Sequence, residues 1–280
     1  MTRQAYLLGQ PVAHSLSPAL HNAAFAALRI DAHYSVREVS LDDLPAVVEA
    51  LRAEDCFGAN VTAPHKRAVI ALMDSVGDEV RALGAVNTIV NSHGQLRGGN
   101  TDAEGLARWM RLSGIEPGGQ PAVILGAGGA ARSAVWAVVG LGATSVLVLN
   151  RTVERAQDLV ISLRPRIRSA DLTWGALDEA AEPARRAWRV VINATSLGHH
   201  GAAPSVHPSW YSPHSVALEL AYNPPETGFM VAARQAGARA ENGLGMLLHQ
   251  AALAFERWTG QVPPMDVLEA AVAVRERTAG

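Results

Sequence analysis

Short apolar runs rich in β-branched residues alternate along this chain with longer stretches whose apolar residues recur at three- and four-residue spacing. The short runs predict strands at 6–8, 34–39, 59–62, 122–125, 146–149, 190–193 and 216–220. The longer patterns predict helices near 18–29, 42–53, 65–73, 103–112, 129–140, 153–163, 226–236, 243–258 and 266–277. Such alternation implies an α/β protein, with parallel sheets and helices on their faces. One segment breaks the rhythm: residues 85–99 read as a hairpin, with an apolar arm at 86–90, a turn at 91–94 and a return arm at 95–97. The strongest interruption is 113–121, which carries Gly114, Pro117, Gly118, Gly119 and Pro121, and a new strand opens directly after it.

Composition narrows the class. The 280 residues are 49% hydrophobic and only 18% charged, with a net charge of −2, which excludes a disordered chain and argues against a nucleic-acid binder. The lone cysteine, Cys56, allows neither an internal disulfide nor a cysteine-based zinc site, and no metal is expected. Residues 133–150 are 18 in number and uncharged, near the lower limit for a membrane span. Gly140, Gly142, Thr144 and Ser145 divide them better into a helix, a turn and a strand. No signal-like apolar segment stands at the start, so the expectation is a soluble, cytoplasmic protein with no membrane partner.

The strand at 122–125 runs into Gly126-Ala127-Gly128-Gly129-Ala130-Ala131 and then into a helical pattern. This is G-x-G-x-x-A between a strand and a helix, the setting a dinucleotide-binding turn requires. Gly126 permits the tight turn, Gly128 lets the backbone approach a pyrophosphate, and Ala131 allows close helix–strand packing. At the end of the next strand, where an NAD site places Asp or Glu, this chain has Asn150-Arg151-Thr152, with Arg155 one turn on. A guanidinium suits a 2′-phosphate, so NADP is expected over NAD.

Other polar groups gather in loops. Ser15 and Ser17 lie two apart, and Ser17-Pro18 reads as the cap and first residue of a helix, a neutral-donor site for a small carboxylate. The basic residues number 24, of which one, Lys66, is lysine. It falls after a predicted strand in Asn60-Val61-Thr62-Ala63-Pro64-His65-Lys66, in what reads as the first turn of a helix, where a cation is locally disfavoured. A lysine can lose its proton in a useful range and an arginine cannot, so the single exception falls where a titrating or compact ammonium would be valuable. Further polar segments are Gly84-Ala85-Val86-Asn87-Thr88, Gly99-Asn100-Thr101-Asp102 and Asn242-Gly243 followed by an apolar helix carrying Gln250.

These segments, with Asn193-Ala194-Thr195-Ser196-Leu197-Gly198, resemble the shikimate dehydrogenase family in order and spacing along essentially the whole chain. The resemblance implies reduction of 3-dehydroshikimate to shikimate with NADPH, in aromatic amino acid biosynthesis. It implies a catalytic pair at Lys66 and Asp102, and substrate contacts from Ser15, Ser17, Thr62, Lys66, Asn87, Asp102, Tyr222 and Gln250. It implies cofactor contacts from Gly126, Ala127, Gly128, Gly129, Ala130, Asn150, Arg151, Thr152 and Arg155, and from Ala194, Thr195, Ser196, Leu220 and Gly243. The chain departs from the family pattern at His199, at Glu219 where the strand usually ends in Asp, and at Gly228-Phe229. His199-His200 lacks the carboxylate partners of a metal site.

The expected architecture is a substrate domain at 1–103, completed by helices from 244 onward, and a Rossmann domain at 104–243, with the active site in a cleft that domain motion opens and closes. Competing readings are a quinate/shikimate or aminoshikimate dehydrogenase, and a non-catalytic cofactor sensor on the same scaffold. Arg151 argues against an NAD-preferring quinate enzyme, and retention of Lys66 and Asp102 argues against a sensor. A monomer and a homodimer both fit the sequence.

Overall fold

The computed structural model describes residues 1–177, 188–200 and 203–279, without the side chains of 199, 200 and 275–279. His199 and His200 therefore lie outside the described side chains. The chain divides into two compact units, Met1–Gly105 with Leu248–Gly280, and Leu106–Leu247. It passes from the first to the second within a helix, α4, and returns within another, α8.

The first unit is built from β1 (Arg3–Gly9), α1 (Ser17–Ala27), β2 (Ala32–Glu38), α2 (Leu44–Ala50), β3 (Cys56–Val61), β4 (Ser75–Val76), α3 (Asp78–Leu83), β5 (Thr88–Ser92), β6 (Gln95–Gly99) and the start of α4 (Asp102–Leu112). Its six strands lie in the order β2-β1-β3-β5-β6-β4. The β2, β1 and β3 strands run parallel, and β5 pairs antiparallel with both β3 and β6. All six residues of β3 are buried, which explains its near-continuous apolar character.

The hairpin turns at His93-Gly94, both with positive φ (53° and 82°), a two-residue turn whose twist suits antiparallel strands. It is tighter than the four-residue turn expected: β5 runs on to Ser92, and β6 extends from Gln95 to Gly99. That register sets Thr88 opposite Gly99, and Asn87 N–H donates to Gly99 O at 3.1 Å. Asn87 and the Asn100–Asp102 segment are thereby neighbours.

The second unit holds β7 (Ala122–Leu125), α5 (Gly129–Gly140), β8 (Ser145–Asn150), α6 (Val153–Leu163), β9 (Asp171–Ala176), β10 (Val190–Asn193), β11 (Val216–Glu219), α7 (Gly228–Gln235), β12 (Arg239–Glu241) and the start of α8 (Leu244–Thr259). The final helix, α9 (Met265–Ala279), belongs to the first unit. The second sheet is wholly parallel, in the order β12-β11-β10-β7-β8-β9. This is the doubly wound order, and it reverses between β7 and β10, where such sheets bind ligands beyond the strands' carboxyl ends. Val123, Leu125 and Val191 face one apolar cluster, and Ile124, Val148 and Ile192 the other, so both faces are covered. The uncharged stretch 133–150 resolves into α5, a turn and β8, and no described helix is long and apolar enough to cross a membrane.

Two further local expectations fail. The helix predicted at 65–73 is a 3-10 turn over Ala68–Leu72, and Lys66 lies in the turn before it. The carbonyl of Lys66 accepts from Val86 N–H instead of entering a helical ladder. Ser17 is not the cap of α1: Leu16 occupies that place, and Ser15 Oγ accepts the Ser17 N–H at 3.1 Å. The edge strands β4, β9 and β12 and the six-residue α3 were absent from the predicted elements, because each is short or half polar and carries little periodic signal.

Candidate active site

In the first unit, Lys66 Nζ donates to Asp102 Oδ2 at 2.7 Å. Lys66 is half-buried and Asp102 is only 6% exposed, so this pair is sheltered from most solvent screening. Asp102 opens α4 as its first-turn acid, and Asn100 Oδ1 accepts its N–H at 3.0 Å. The other carboxylate oxygen, Oδ1, accepts from Asn87 Nδ2 at 2.8 Å. Asn87 gives its remaining amide hydrogen to Thr101 Oγ1 at 2.9 Å, while its Oδ1 accepts from Thr101 N–H at 2.7 Å and from the Thr88 hydroxyl at 2.9 Å. Gln250, on α8, meets Thr101 Oγ1 at 3.5 Å, and Gly105 is held against it: a Cβ there would lie 2.6 Å from Gln250 N. The lone lysine is thus explained by its carboxylate partner, not by its place on a helix.

Ser15 and Ser17 stand together at the head of α1, with Ser15 Oγ donating to Ser17 Oγ at 3.1 Å. Thr62 follows β3, and its N–H donates to Leu8 O at 2.8 Å. Its methyl group lies against Gly9 where any Cβ would collide with it. Beneath these groups His21, Tyr34 and Trp258 form a buried aromatic cluster, with the His21 and Tyr34 rings stacked 4.4 Å apart. Burial drives the His21 imidazole down to about 3, opposed in part by a bond with Asn60. It is neutral at every physiological pH.

In the second unit, Leu125 ends β7 and Gly126 turns the chain with φ +105°, a conformation costly for any other residue. A Cβ at Gly126 would lie 2.8 Å from Ala194 O, so the turn is also sterically closed to side chains. At Gly128 a Cβ would meet nothing within 4 Å: the backbone there borders open space. Gly128 precedes α5, whose first turn has no side-chain cap. Its N–H groups are therefore available to an anion, with the helix dipole behind them. Ala127, Gly129 and Ala130 are half-buried in the same turn.

Past β8, Asn150 Nδ2 donates to Thr152 O at 2.8 Å, which shapes the turn that presents Arg151. Arg151, Thr152 and Arg155 are exposed. Neither the Arg151 nor the Arg155 guanidinium has a carboxylate or hydrogen-bond partner among the described residues. The residues present fit a dinucleotide with a 2′-phosphate: an open glycine turn for the pyrophosphate and unpaired guanidinium groups for the extra phosphate.

Ala194, Thr195 and Ser196 follow β10, and Asn193 Oδ1 accepts from both the N–H and the hydroxyl of Thr195, at 3.1 and 2.7 Å. Asn193 Nδ2 donates in turn to Glu219 Oε2 at 2.7 Å. Glu219, where a shorter acid was expected, is fully buried and also accepts from Thr227 Oγ1 at 3.1 Å and Ala221 N–H at 3.1 Å. Burial raises its pKa, and these bonds oppose the rise. Its carboxyl fills the space beside Gly198, where a Cβ would lie 2.7 Å from Oε1. Thr227 caps α7 by accepting from Met230 N–H, and Phe229 fills the core, which accounts for the unusual Gly228-Phe229 sequence. Leu220 and Gly243 are in contact, with Leu220 O close to the Gly243 Cα, and half-buried Tyr222 follows two residues after Leu220.

Seven of the eight substrate positions thus fall in the first unit, and Tyr222 and every cofactor position fall in the second. Sequence reading missed Thr101, Thr88, Asn60 and Tyr34 as parts of the site. Asn60, Thr88 and Thr101 lay inside segments already singled out, and only the pairing of β3, β5 and β6 reveals them.

A doubly wound parallel sheet with an open glycine turn, joined to a unit bearing a lysine–carboxylate pair, defines a nicotinamide-dependent α/β dehydrogenase. The shikimate dehydrogenase substrate binding domain matches residues 7–89, the shikimate / quinate 5-dehydrogenase family residues 115–200, and the shikimate 5'-dehydrogenase C-terminal domain residues 243–273. The chain is 43% identical over 265 residues to a shikimate dehydrogenase (NADP(+)) of Moorella thermoacetica, covering 94% of this chain and 90% of that one. Shikimate 5-dehydrogenase from Thermus thermophilus, solved in complex with NADP(H) and shikimate, is 36% identical with a TM-score of 0.84, covering 96% of this chain and 98% of that one. Quinate dehydrogenase from Corynebacterium glutamicum, solved with NAD, is 28% identical with a TM-score of 0.89, covering 98% of this chain and 99% of that one. The chain belongs to the shikimate dehydrogenase family.

Proposed function

We propose that the protein is an NADP-dependent shikimate dehydrogenase, interconverting 3-dehydroshikimate and shikimate. The observation that carries this reading is the Lys66–Asp102 pair, aimed by Asn87, in the unit that also presents the Ser15–Ser17 hydroxyls. The 37–43% identity to curated NADP-dependent members supports it.

Ser15 and Ser17 bind the substrate carboxylate as neutral donors, and Thr62, Asn87, Gln250 and Tyr222 orient its ring hydroxyls. The open turn at 126–130 holds the pyrophosphate, Arg151 and Arg155 hold the 2′-phosphate, and the loop at 194–196 with Leu220 and Gly243 lines the nicotinamide end. When bound, NADPH supplies the hydride that reduces the ketone carbon. The oxygen of that carbon gains charge as reduction proceeds, and the Lys66 ammonium stabilises it and gives it a proton. Asp102 holds the ammonium in place, and in the reverse direction it stabilises the positive charge that Lys66 regains. The enzyme works in the cytoplasm, as a monomer or homodimer, on a small-molecule substrate.

Initial rates with shikimate and NADP, alongside quinate and NAD, test the assignment. The expected result is the highest kcat/KM for shikimate with NADP. A preference for quinate with NAD would assign the chain to the other branch of the family.

A further inference from the structure

Behind the reactive pair runs a line of buried polar side chains. The Tyr34 hydroxyl meets Asn60 Oδ1 at 2.9 Å. Asn60 Nδ2 meets Asn87 O and Thr88 Oγ1, each at 3.3 Å. Thr88 Oγ1 meets Asn87 Oδ1 at 2.9 Å, and Asn87 Nδ2 meets Asp102 Oδ1 at 2.8 Å. Tyr34, Asn60, Asn87, Thr88 and Thr101 are all 5% exposed or less.

Three fixed groups determine which way every bond points. Asp102 faces Asn87 with a carboxylate oxygen, so Asn87 presents its amine there and its oxygen to Thr88 and to Thr101 N–H. Thr88 therefore donates to Asn87. The backbone carbonyl of Asn87 can only accept, so Asn60 turns its amine toward it and toward Thr88, and its oxygen toward Tyr34. Tyr34 therefore donates to Asn60. Each donor hydrogen points along the line toward Asp102, where Lys66 closes it from the opposite side. Two amides interrupt the line, so it conducts no proton. Its effect is to orient and polarise: each donor is strengthened by the bond it accepts, in surroundings of low dielectric.

We propose that Tyr34, Asn60 and Thr88 are positioning residues that aim the Lys66–Asp102 pair for proton transfer. This rests on the dehydrogenase reading above.

Thr88→Val keeps the shape and removes the hydroxyl, Thr88→Ser keeps the hydroxyl, and Tyr34→Phe keeps the ring on His21. Each is assayed for kcat, KM for shikimate, the solvent deuterium isotope effect on kcat, NADPH binding by fluorescence, and Tm. Thr88→Val is expected to lower kcat about 10-fold, as for weakening one bond to a charged group, with KM for shikimate and NADPH affinity little changed. The solvent isotope effect rises, because the proton step becomes more limiting. Thr88→Ser restores kcat. Tyr34→Phe lowers kcat less, because its hydroxyl lies further along the line from Asp102. Equal losses in Thr88→Val and Thr88→Ser, a fall in Tm without a fall in kcat, or a Tyr34→Phe effect on KM alone would overturn the proposal. Should Thr88→Val not fold, Tyr34→Phe decides. Inactivity of the wild type toward shikimate with NADP would instead remove the dehydrogenase reading itself.

Discussion

The two units treat their polar groups in opposite ways. In the first, the side chains at the site are bonded to one another before any substrate arrives: Lys66 to Asp102, Asp102 to Asn87, and Asn87 to Thr88 and Thr101. In the second, the equivalent groups are left open: the first turn of α5 is uncapped, the backbone at Gly128 faces empty space, and Arg151 has no partner among the described residues. The difference follows from the two tasks. A proton donor has to be aimed in advance, since reorganising it during the reaction would raise the barrier. An anion receptor has to keep its donors unpaired, since each internal partner would compete with the phosphate.

The largest effect should come from cutting the prearranged side. Lys66→Ala is expected to lower kcat by roughly 10²- to 10⁴-fold, the usual worth of a positioned acid–base group, with KM for shikimate nearly unchanged. Lys66→Arg should fail too, because a guanidinium keeps the charge but does not give up a proton. A variant changed in KM alone would reduce Lys66 to a binding residue.

The open side should respond differently. Arg151→Ala is expected to raise KM for NADP by roughly 10- to 100-fold, the worth of charged hydrogen bonds, and to leave KM for NAD as it was. Equal losses with both cofactors would mean that Arg151 supports the turn and not the 2′-phosphate.

A smaller effect separates the units by pH. His21 is neutral in the folded first unit, with its pKa driven to about 3, and an unfolded histidine protonates near 6.5. A depressed histidine pKa contributes stability that is complete above about pH 6.5 and is lost as pH falls toward 3, at about 1.4 kcal/mol per pH unit. Urea unfolding of wild type and His21→Gln at neutral pH and near pH 5 checks this. Wild type should lose stability more steeply than the variant, and parallel losses would contradict it.

Legibility in the sequence followed the range of the interactions. The glycine turn at 126–131 and the arginine after β8 could be read because strand, turn and helix are neighbours in the chain. Lys66 stood out as the sole lysine, but the helix invoked to explain it is absent, and its partner Asp102 lies 36 residues away. Tyr34, Asn60 and Thr88 were invisible as a group. They meet through the parallel pairing of β1 with β2 and β3 and through a hairpin whose register depends on a two-residue turn at His93-Gly94. Nothing local to any of the three residues encodes that meeting.

The central claim is that Lys66 and Asp102 act as one proton-handling unit within a shikimate dehydrogenase. Its most direct test is kcat for Lys66→Ala, Asp102→Asn and the double variant, measured with shikimate and NADP in one series. A single unit predicts strong non-additivity, with the double variant about as slow as the slower single one. Losses that simply multiply in the double variant would show two independent groups and contradict the account.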